Sequence, residues 1–336
     1  MAFSPDLLTD PDPPFMVQDR FEIKADVFPL GSVLNGRLEQ NHFAEDRLLF
    51  SYLQKKLDVL QQHPERHRAL TTDDPQGLSH ALWTALQVYK REFPQLLSGH
   101  DTEVDLKHLG LRLHWDPHEI QVTQLQDHAL GTQVLDHLQQ QQGVTRLLDA
   151  VSLSAQEDLV VLRQDPEGGH AEALSVCFPS GWDPREKLGV GFAGIHHPVA
   201  DHQRLLKASG NMMRAIFHKG PFIRFSWGLT PSPDLNAHPE HPRTLWNPLW
   251  EAEPDLLGEK IFLRMERQTT LALPELQRGL FTIRVYVNSL SKTLTRNPEL
   301  RPRLHNLLSS VKPDVLEYKG MQPLKAPILR YLESHK

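Results

Sequence analysis

The chain predicts an α+β fold: a mostly antiparallel sheet flanked by helices at its N- and C-terminal ends. Apolar residues recur at helical spacing near both ends of the 336-residue sequence. The middle instead alternates apolar and polar residues in short runs bounded by Gly and Pro, as half-buried strands do. Helices at both ends of a run of strands are the α+β layout.

Each element follows from local pattern. Residues 1–40 read as an extended arm, with Pro at 5, 11, 13, 14 and 29. A helix is expected from Ala44 to Gln62, where Leu48, Leu49, Tyr52, Leu53, Leu57 and Leu60 share a face before Pro64 stops it. A second is expected from Leu78 to Glu92, ahead of Pro94. Leu111 to Trp115 reads as a strand ending in an Asp116-Pro117 turn. Residues 133–150 have a helical pattern, with the Gln139–Gln142 run as an exposed face. Leu159 to Leu162 and Ala171 to Phe178 are strand-like, joined through Gly168-Gly169 as a hairpin. A helix from Arg204 to Phe217, a strand from Phe222 to Leu229 and a Pro-rich loop from Pro231 to Pro248 follow. Strands near 260–266 and 280–287 finish the sheet, and helices near 299–311 and 323–334 close the chain. The helical segments have too little core to stand alone, so a single domain over 25–336 is expected, preceded by a flexible arm over 1–24.

Composition excludes several classes. A formal net charge of -6 gives no global support for nucleic-acid or anionic-membrane binding. The lone cysteine, Cys177, rules out an internal disulfide or a cysteine-held cluster, and its apolar strand makes it core. Met1 to Asp19 lacks the basic and apolar regions of a signal peptide, and no apolar run reaches transmembrane length, so a cytoplasmic protein is expected. Nineteen histidines make metal or haem ligation worth testing.

The chemistry concentrates in Leu263–Thr270 and Phe281–Tyr286. These read as buried strands yet carry Arg264, Glu266, Arg267 and Arg284. Strand alternation puts Arg264 and Glu266 on one face. Buried charges must be paired or ligand-bound, so the cluster is an ion-pair network or the wall of a polar site. On Phe222–Leu229, Arg224, Ser226 and Gly228 form a polar face against aromatic Phe225 and Trp227. Arg224 there suits an anion, a propionate or a developing oxyanion, or else is a solvated edge residue. Glu266 suits a cationic ammonium or general-base work, or else pairs with a neighbouring Arg. His196, in Ile195-His196-His197-Pro198-Val199 after a glycine-rich approach, is a candidate iron ligand or a surface-loop histidine. His238 and His241 read as loop residues. No Gly-rich phosphate loop, nucleophile elbow or His-Glu-x-x-His helix is present.

Together these segments resemble the haem-dependent oxidative N-demethylase α subunit family, over roughly residues 25–300. The matching blocks are Gln156-Glu157-Asp158-Leu159, Cys177-Phe178-Pro179-Ser180-Gly181-Trp182, Glu186-Lys187-Leu188-Gly189, Ile195-His196-His197-Pro198-Val199, Arg224-Phe225-Ser226-Trp227, Arg264-Met265-Glu266-Arg267-Gln268-Thr269, Leu273-Pro274 and Phe281-Thr282-Ile283-Arg284-Val285-Tyr286. The resemblance implies a PAS-like antiparallel sheet that binds haem b and acts as an enzyme. The implied reaction is the monooxygenase-type demethylation of a small methylated amine, dimethylamine, with O2 and electrons from NADPH. Flavin, an iron–sulfur centre and tetrahydrofolate are implied on partner subunits. By matched position, His196 is the implied axial haem ligand, and Arg224, Glu266, Arg267 and Arg284 match charged positions of the family; the mechanism expected from this and the residues themselves has Glu266 hold the amine, Arg224 polarise O2, and Arg267 or Arg284 meet a haem propionate. The chain departs from the family where Ala200 replaces the second Pro of a Pro-Val-Pro run, where Ser226 replaces an Asn, and where Glu275 follows Leu273-Pro274 in place of Thr-Gly. These departures bear on amine specificity more than on haem. The competing readings are a haem PAS gas sensor without turnover, a cofactor-free scaffold protein, and a non-haem metal hydrolase using His196, His197 and His202.

Overall fold

The computed structural model describes residues 8, 9, 11, 27–71, 73–191, 210, 212–252 and 254–334. Strand β1 (Phe28–Pro29) is followed by a hairpin of β2 (Ser32–Leu34) and β3 (Arg37–Glu39). That hairpin turns through Asn35-Gly36, both at positive φ, which this residue pair tolerates best. Helix α1 (Leu49–Gln62) starts later than Ala44. The Ala44 and Asp46 amides are given to Glu157 Oε1 at 2.6 Å and Gln156 Oε1 at 2.8 Å, a long-range tie to the Gln156-Glu157 segment. Next come α2 (Pro64–His67), β4 (Arg68–Leu70) and α3 (Pro75–Glu92). The α3 helix starts earlier than expected because Asp74 caps the Gly77 amide at 3.0 Å and Pro75 takes the first turn.

A separate four-stranded sheet follows: β5 (Leu97–Ser98), β6 (Glu103–Leu106), β7 (Leu111–Trp115) and β8 (Ile120–Gln124). Only β7 was expected from the sequence. The anticipated helix over 133–150 is two helices, α4 (Ala129–Gln139) and α5 (Gly143–Ser152). The Gln139–Gln142 run is the break between them, and Gly143 takes a φ of 52°. Strands β9 (Asp158–Arg163) and β10 (His170–Ser175) join through Gly168 and Gly169, at φ 116° and 121°, as the hairpin reading requires. Helix α6 covers 212–218, and its expected start at Arg204 lies outside the described residues. The chain continues with β11 (Phe222–Thr230), α7 (Pro254–Lys260), β12 (Phe262–Leu273), β13 (Arg278–Ser289), α8 (Leu290–Arg296), α9 (Leu300–Ser310), α10 (Pro313–Tyr318) and α11 (Lys325–Ser334).

The α+β class holds. The main sheet is antiparallel throughout, in the order β1-β11-β12-β13-β9-β10-β4. The strands expected to finish it, β12 and β13, lie at its centre. Numbered by appearance, the five long strands from β10 to β11 run 2-1-5-4-3. One face is dry. Its β9 and β13 side chains join α1, α3 and α5 in the main core, and Leu229, Leu263, Met265 and Tyr286 join the C-terminal helices in a second. Each fully buried Leu contributes about 1.5–3 kcal/mol, so these two layers dominate stability. Leu8 is itself buried in the main core and its carbonyl accepts from Arg47 Nε at 3.1 Å, so this part of the N-terminal stretch is docked. Among the described residues no helix is long and apolar enough to cross a membrane.

Candidate functional site

Directly opposed residues on neighbouring strands share a sheet face. Ser226, Glu266 and Val285 form one such row across β11, β12 and β13. Arg224, Gln268, Ile283 and Asp158 form the next, and Phe222, Thr270, Phe281 and Val160 the one beyond. Arg264 faces the same way, opposite Gly228 and Val287. Strand periodicity thus brings Arg224, Arg264 and Glu266 together, as the sequence implied. Arg224, Ser226, Glu266, Gln268, Phe281 and Val160 are all half-buried, whereas Ile223, Met265, Arg267 and Arg284 on the face behind them are buried.

Glu266 is held from two sides. Ser180 Oγ donates to Oε1, and Gln268 Nε2 donates to Oε2 at 2.6 Å. Ser180 Oγ accepts in turn from Arg264 Nε at 2.7 Å, so the anticipated Arg264–Glu266 pairing is relayed through a hydroxyl. The rest of the Arg264 guanidinium caps backbone carbonyls: Phe178 at 2.7 Å, and Pro179 and Asp234 at 3.2 Å. Burial lowers the pKa of Arg264, and Glu266 and Asp158 oppose that shift.

The loop carrying Ser180 is itself fixed. Asp158 accepts from the amides of Cys177 at 3.0 Å and Phe178 at 2.8 Å. Fully buried Lys56 lies 3.7 Å from Asp158 Oδ1 and donates to the carbonyls of Ser152 at 2.9 Å and Ala155 at 3.1 Å. Burial raises the Asp158 pKa while Lys56 pulls it back. Gly181 and Ala237 tie down the far side, with the Gly181 amide on the Ala237 carbonyl and the Ala237 amide on the Pro179 carbonyl, each at 3.1 Å.

Lys319, just beyond α10, sits at the edge of β11. Its Nζ donates to the carbonyl of Trp227 at 2.7 Å on the outer side of β11 and stands 5.7 Å from the indole centroid. Burial lowers the Lys319 pKa; Glu266 opposes the shift and Arg224 reinforces it. Burial likewise raises the Tyr318 hydroxyl, with Glu266 adding to the rise and Arg224 opposing it.

Arg267 and Arg284 are not part of this constellation. They oppose each other across β12 and β13 on the dry face. Arg267 is bound to Glu39 Oε2 at 2.9 Å and the His42 carbonyl at 3.0 Å. Arg284 is bound to Asp46 Oδ2 at 2.7 Å and lies over the rings of Tyr52 and Tyr286, 3.9 and 4.6 Å from their centroids. Their exposures of 2% and 0% leave no path to a ligand on the opposite face, so a direct propionate contact by either does not fit this geometry. His196, with His197 and His202, lies outside the described residues. Cys177 is buried and burial pushes its thiol up, which fits a core residue. His238 is core rather than loop surface, packed 5.1 Å from buried His67.

Sequence reasoning missed Gln268, Ser180, Lys319 and Tyr318. Gln268 was recoverable, because it sits two residues beyond Glu266 on the same strand face. The others arrive from the Ser180 loop and the end of α10, far along the chain, and leave no periodic signal. Among the described residues, no group of three or more His, Cys, Asp or Glu is placed to hold a metal ion. A porphyrin needs an apolar floor and cations for its propionates. The half-buried Phe222, Phe281 and Val160 row beside Arg224 fits that requirement. The family model described as haem-dependent oxidative N-demethylase, alpha subunit-like, matches residues 39–329. That match takes in β9, β11, β12 and β13 and most of the chain, and the chain belongs to the haem-dependent oxidative N-demethylase alpha subunit-like family.

Proposed function

We propose that this chain is the haem-carrying catalytic subunit of an enzyme that oxidatively removes a methyl group from dimethylamine or a similarly small methylated amine. The observation that carries this reading is Glu266. Among the described residues each of its carboxylate oxygens takes one donor, from Ser180 and from Gln268. Each oxygen keeps a second acceptor position for an ammonium N–H. Arg224 lies one diagonal step away on the same face, about 7–8 Å between Cβ atoms by strand geometry, and stabilises negative charge that develops on oxygen. His196 would hold the haem iron in this reading. Haem, when bound, supplies the O2 chemistry and accepts electrons. The balance is dimethylamine, O2, NADPH and a proton giving methylamine, formaldehyde, water and NADP+. Flavin and iron–sulfur partner subunits deliver the electrons, and tetrahydrofolate on a partner takes up the one-carbon product. The alpha subunit-like family name supports such partners.

The 2-1-5-4-3 strand order supports the PAS-like description of the sheet. A single domain over 25–336 in the cytoplasm is part of the same reading. It is supported by the two cores, which both draw side chains from β13, Val285 in one and Tyr286 in the other. The test is the ultraviolet–visible spectrum of haem-replete protein with and without dimethylamine. A Soret band that shifts on adding the amine supports the reading. A Soret band indifferent to the amine favours a gas sensor, and a colourless protein rejects haem function altogether.

A further inference from the structure

We propose that His238 is a positioning residue for the amine site: it holds Asp183, fixes the loop that carries Ser180, and through Ser180 sets the Glu266 carboxylate. This deepens, and rests on, the reading of Glu266 as the residue that holds the amine.

The Ser180 loop is anchored along its length. At its leading end Asp158 accepts the amides of Cys177 and Phe178. In its middle, Pro179 and Gly181 pair with the backbone of Ala237. At its trailing end stands Asp183, which accepts from the Arg185 amide at 2.9 Å and caps a short 3-10 helix over Pro184–Lys187. The Arg185 side chain also meets Asp183, but it belongs to the same turn and reaches outward only to exposed Glu240. A solvated pair of that kind fixes little. His238 comes from the neighbouring segment, is 1% exposed, and turns Nε2 toward Asp183 Oδ1 at 3.5 Å.

The imidazole is itself oriented. Nδ1 accepts from the Glu240 amide at 3.1 Å, which leaves the ring proton on Nε2, on the Asp183 side. The His238 amide donates to Asn236 Oδ1 at 2.9 Å. Asn236 Nδ2 reaches His67 Nε2 at 3.5 Å, and His67 Nδ1 donates to the Val176 carbonyl at 2.9 Å, one residue before Cys177. The buried His238–Asn236–His67 series therefore joins the trailing end of the loop to its leading end. Ser180 lies between them and donates to Glu266 Oε1. A buried N–H carries a desolvation cost that an apolar ring of similar size avoids, so the imidazole answers to Asp183 and not to packing alone.

Variants separate the contacts of the ring. His238→Ala removes both. In His238→Asn the side-chain oxygen stands near the place of Nδ1 and keeps the Glu240 amide, but nothing reaches Asp183. In His238→Gln the side-chain amide stands near the place of Nε2 and faces Asp183. The measurements, on the haem-replete full chain, are dimethylamine binding by calorimetry and hydrogen–deuterium exchange over residues 179–183 by mass spectrometry. His238→Ala and His238→Asn should weaken dimethylamine roughly five- to tenfold, the worth of one misplaced hydrogen bond, and speed exchange in the loop. His238→Gln should restore both. In a Ser180→Ala background, His238→Ala should cost no further affinity, because the hydroxyl it acts through is already gone. A merely structural role would add its loss there and would not be rescued by Gln. Unchanged affinity, an additive loss, or a Gln variant as weak as the Ala variant overturns the positioning role. If dimethylamine does not bind the wild type, the amine reading fails. Exchange then still decides whether His238 anchors the loop, and an unchanged rate overturns that anchor. Should thermal melts show that His238→Ala does not fold, Asp183→Ala removes the same contact from the loop side, with the same expectations.

Discussion

At the scale of single residues, the site is a carboxylate kept in place by neutral donors and backed by buried cations. Glu266→Gln should weaken dimethylamine binding roughly ten- to hundredfold while haem stays bound, because it removes charge but little volume. An unchanged amine-induced spectral shift would remove Glu266 from the role. Ser180→Ala should weaken the same binding less, by about tenfold. It takes one donor from Oε1 and leaves Arg264 Nε without its hydroxyl partner. His196→Ala should abolish the Soret band, and stoichiometric haem retained by that variant would refute the axial assignment. The legible part of this site was the part a strand encodes. Period two put Arg264 with Glu266 and Arg224 with Ser226, and the register joined them. The same rule set Arg267 and Arg284 on the other face, but nothing local said that Glu39 and Asp46 would meet them there. Pro179-Ser180-Gly181 also ends the strand-like run over Ala171–Phe178. It is the segment that binds Glu266, because Asp158 accepts the amides of Cys177 and Phe178, which lead into it from nineteen and twenty residues on.

At the scale of elements, the turn residues were read with more success than the helix ends. Gly168-Gly169 was recognised as a hairpin, and the structure shows why a side chain is excluded at the second position. At Gly169 φ is 121°, and an added Cβ would lie 2.6 Å from the Phe217 ring and 2.8 Å from the Arg163 carbonyl. Gly169→Ala should therefore destabilise the protein by about 1–3 kcal/mol from backbone strain alone, with the steric clash adding to it. It should also loosen α6, whose Phe217 packs there. A melting temperature equal to wild type would show that the turn adapts. Helix boundaries were harder because side chains from far away compete for them. Ala44–Leu48 carries a helical pattern but spends its amides on Gln156 and Glu157, and the pattern over 133–150 hides the positive φ at Gly143. The β5–β8 sheet was largely invisible, since two of its strands are shorter than a periodicity needs.

At the scale of the whole molecule, buried titratable groups set opposing slopes of stability against pH. Burial holds the pKa of His67 and His108 down at about 4, from 6.5, the second despite carbonyls of Leu96 and Ser154 on its two ring nitrogens. Between those values the unfolded chain binds protons that the native one does not, so stability is lost as pH falls from 6.5 toward 4. For His108 the full effect is about 3 kcal/mol. Glu45 and Glu157 act the other way. Burial raises both, and each adds to the stability below the ordinary value of 4.5 that fades as pH rises through the higher native value. Replacing one group from each set separates them. His108→Gln should flatten the fall in melting temperature between pH 6.5 and 4.5. Glu45→Gln keeps an acceptor for the Gln156 amide but carries no charge to bury, so it should melt above wild type at pH 8 and converge with it below pH 4.5. The convergence follows from the sign of the Glu45 shift alone. If Glu45→Gln were less stable than wild type at pH 8, attraction to Arg284 would outweigh burial. The carboxyl would then be a paired anion in the native protein.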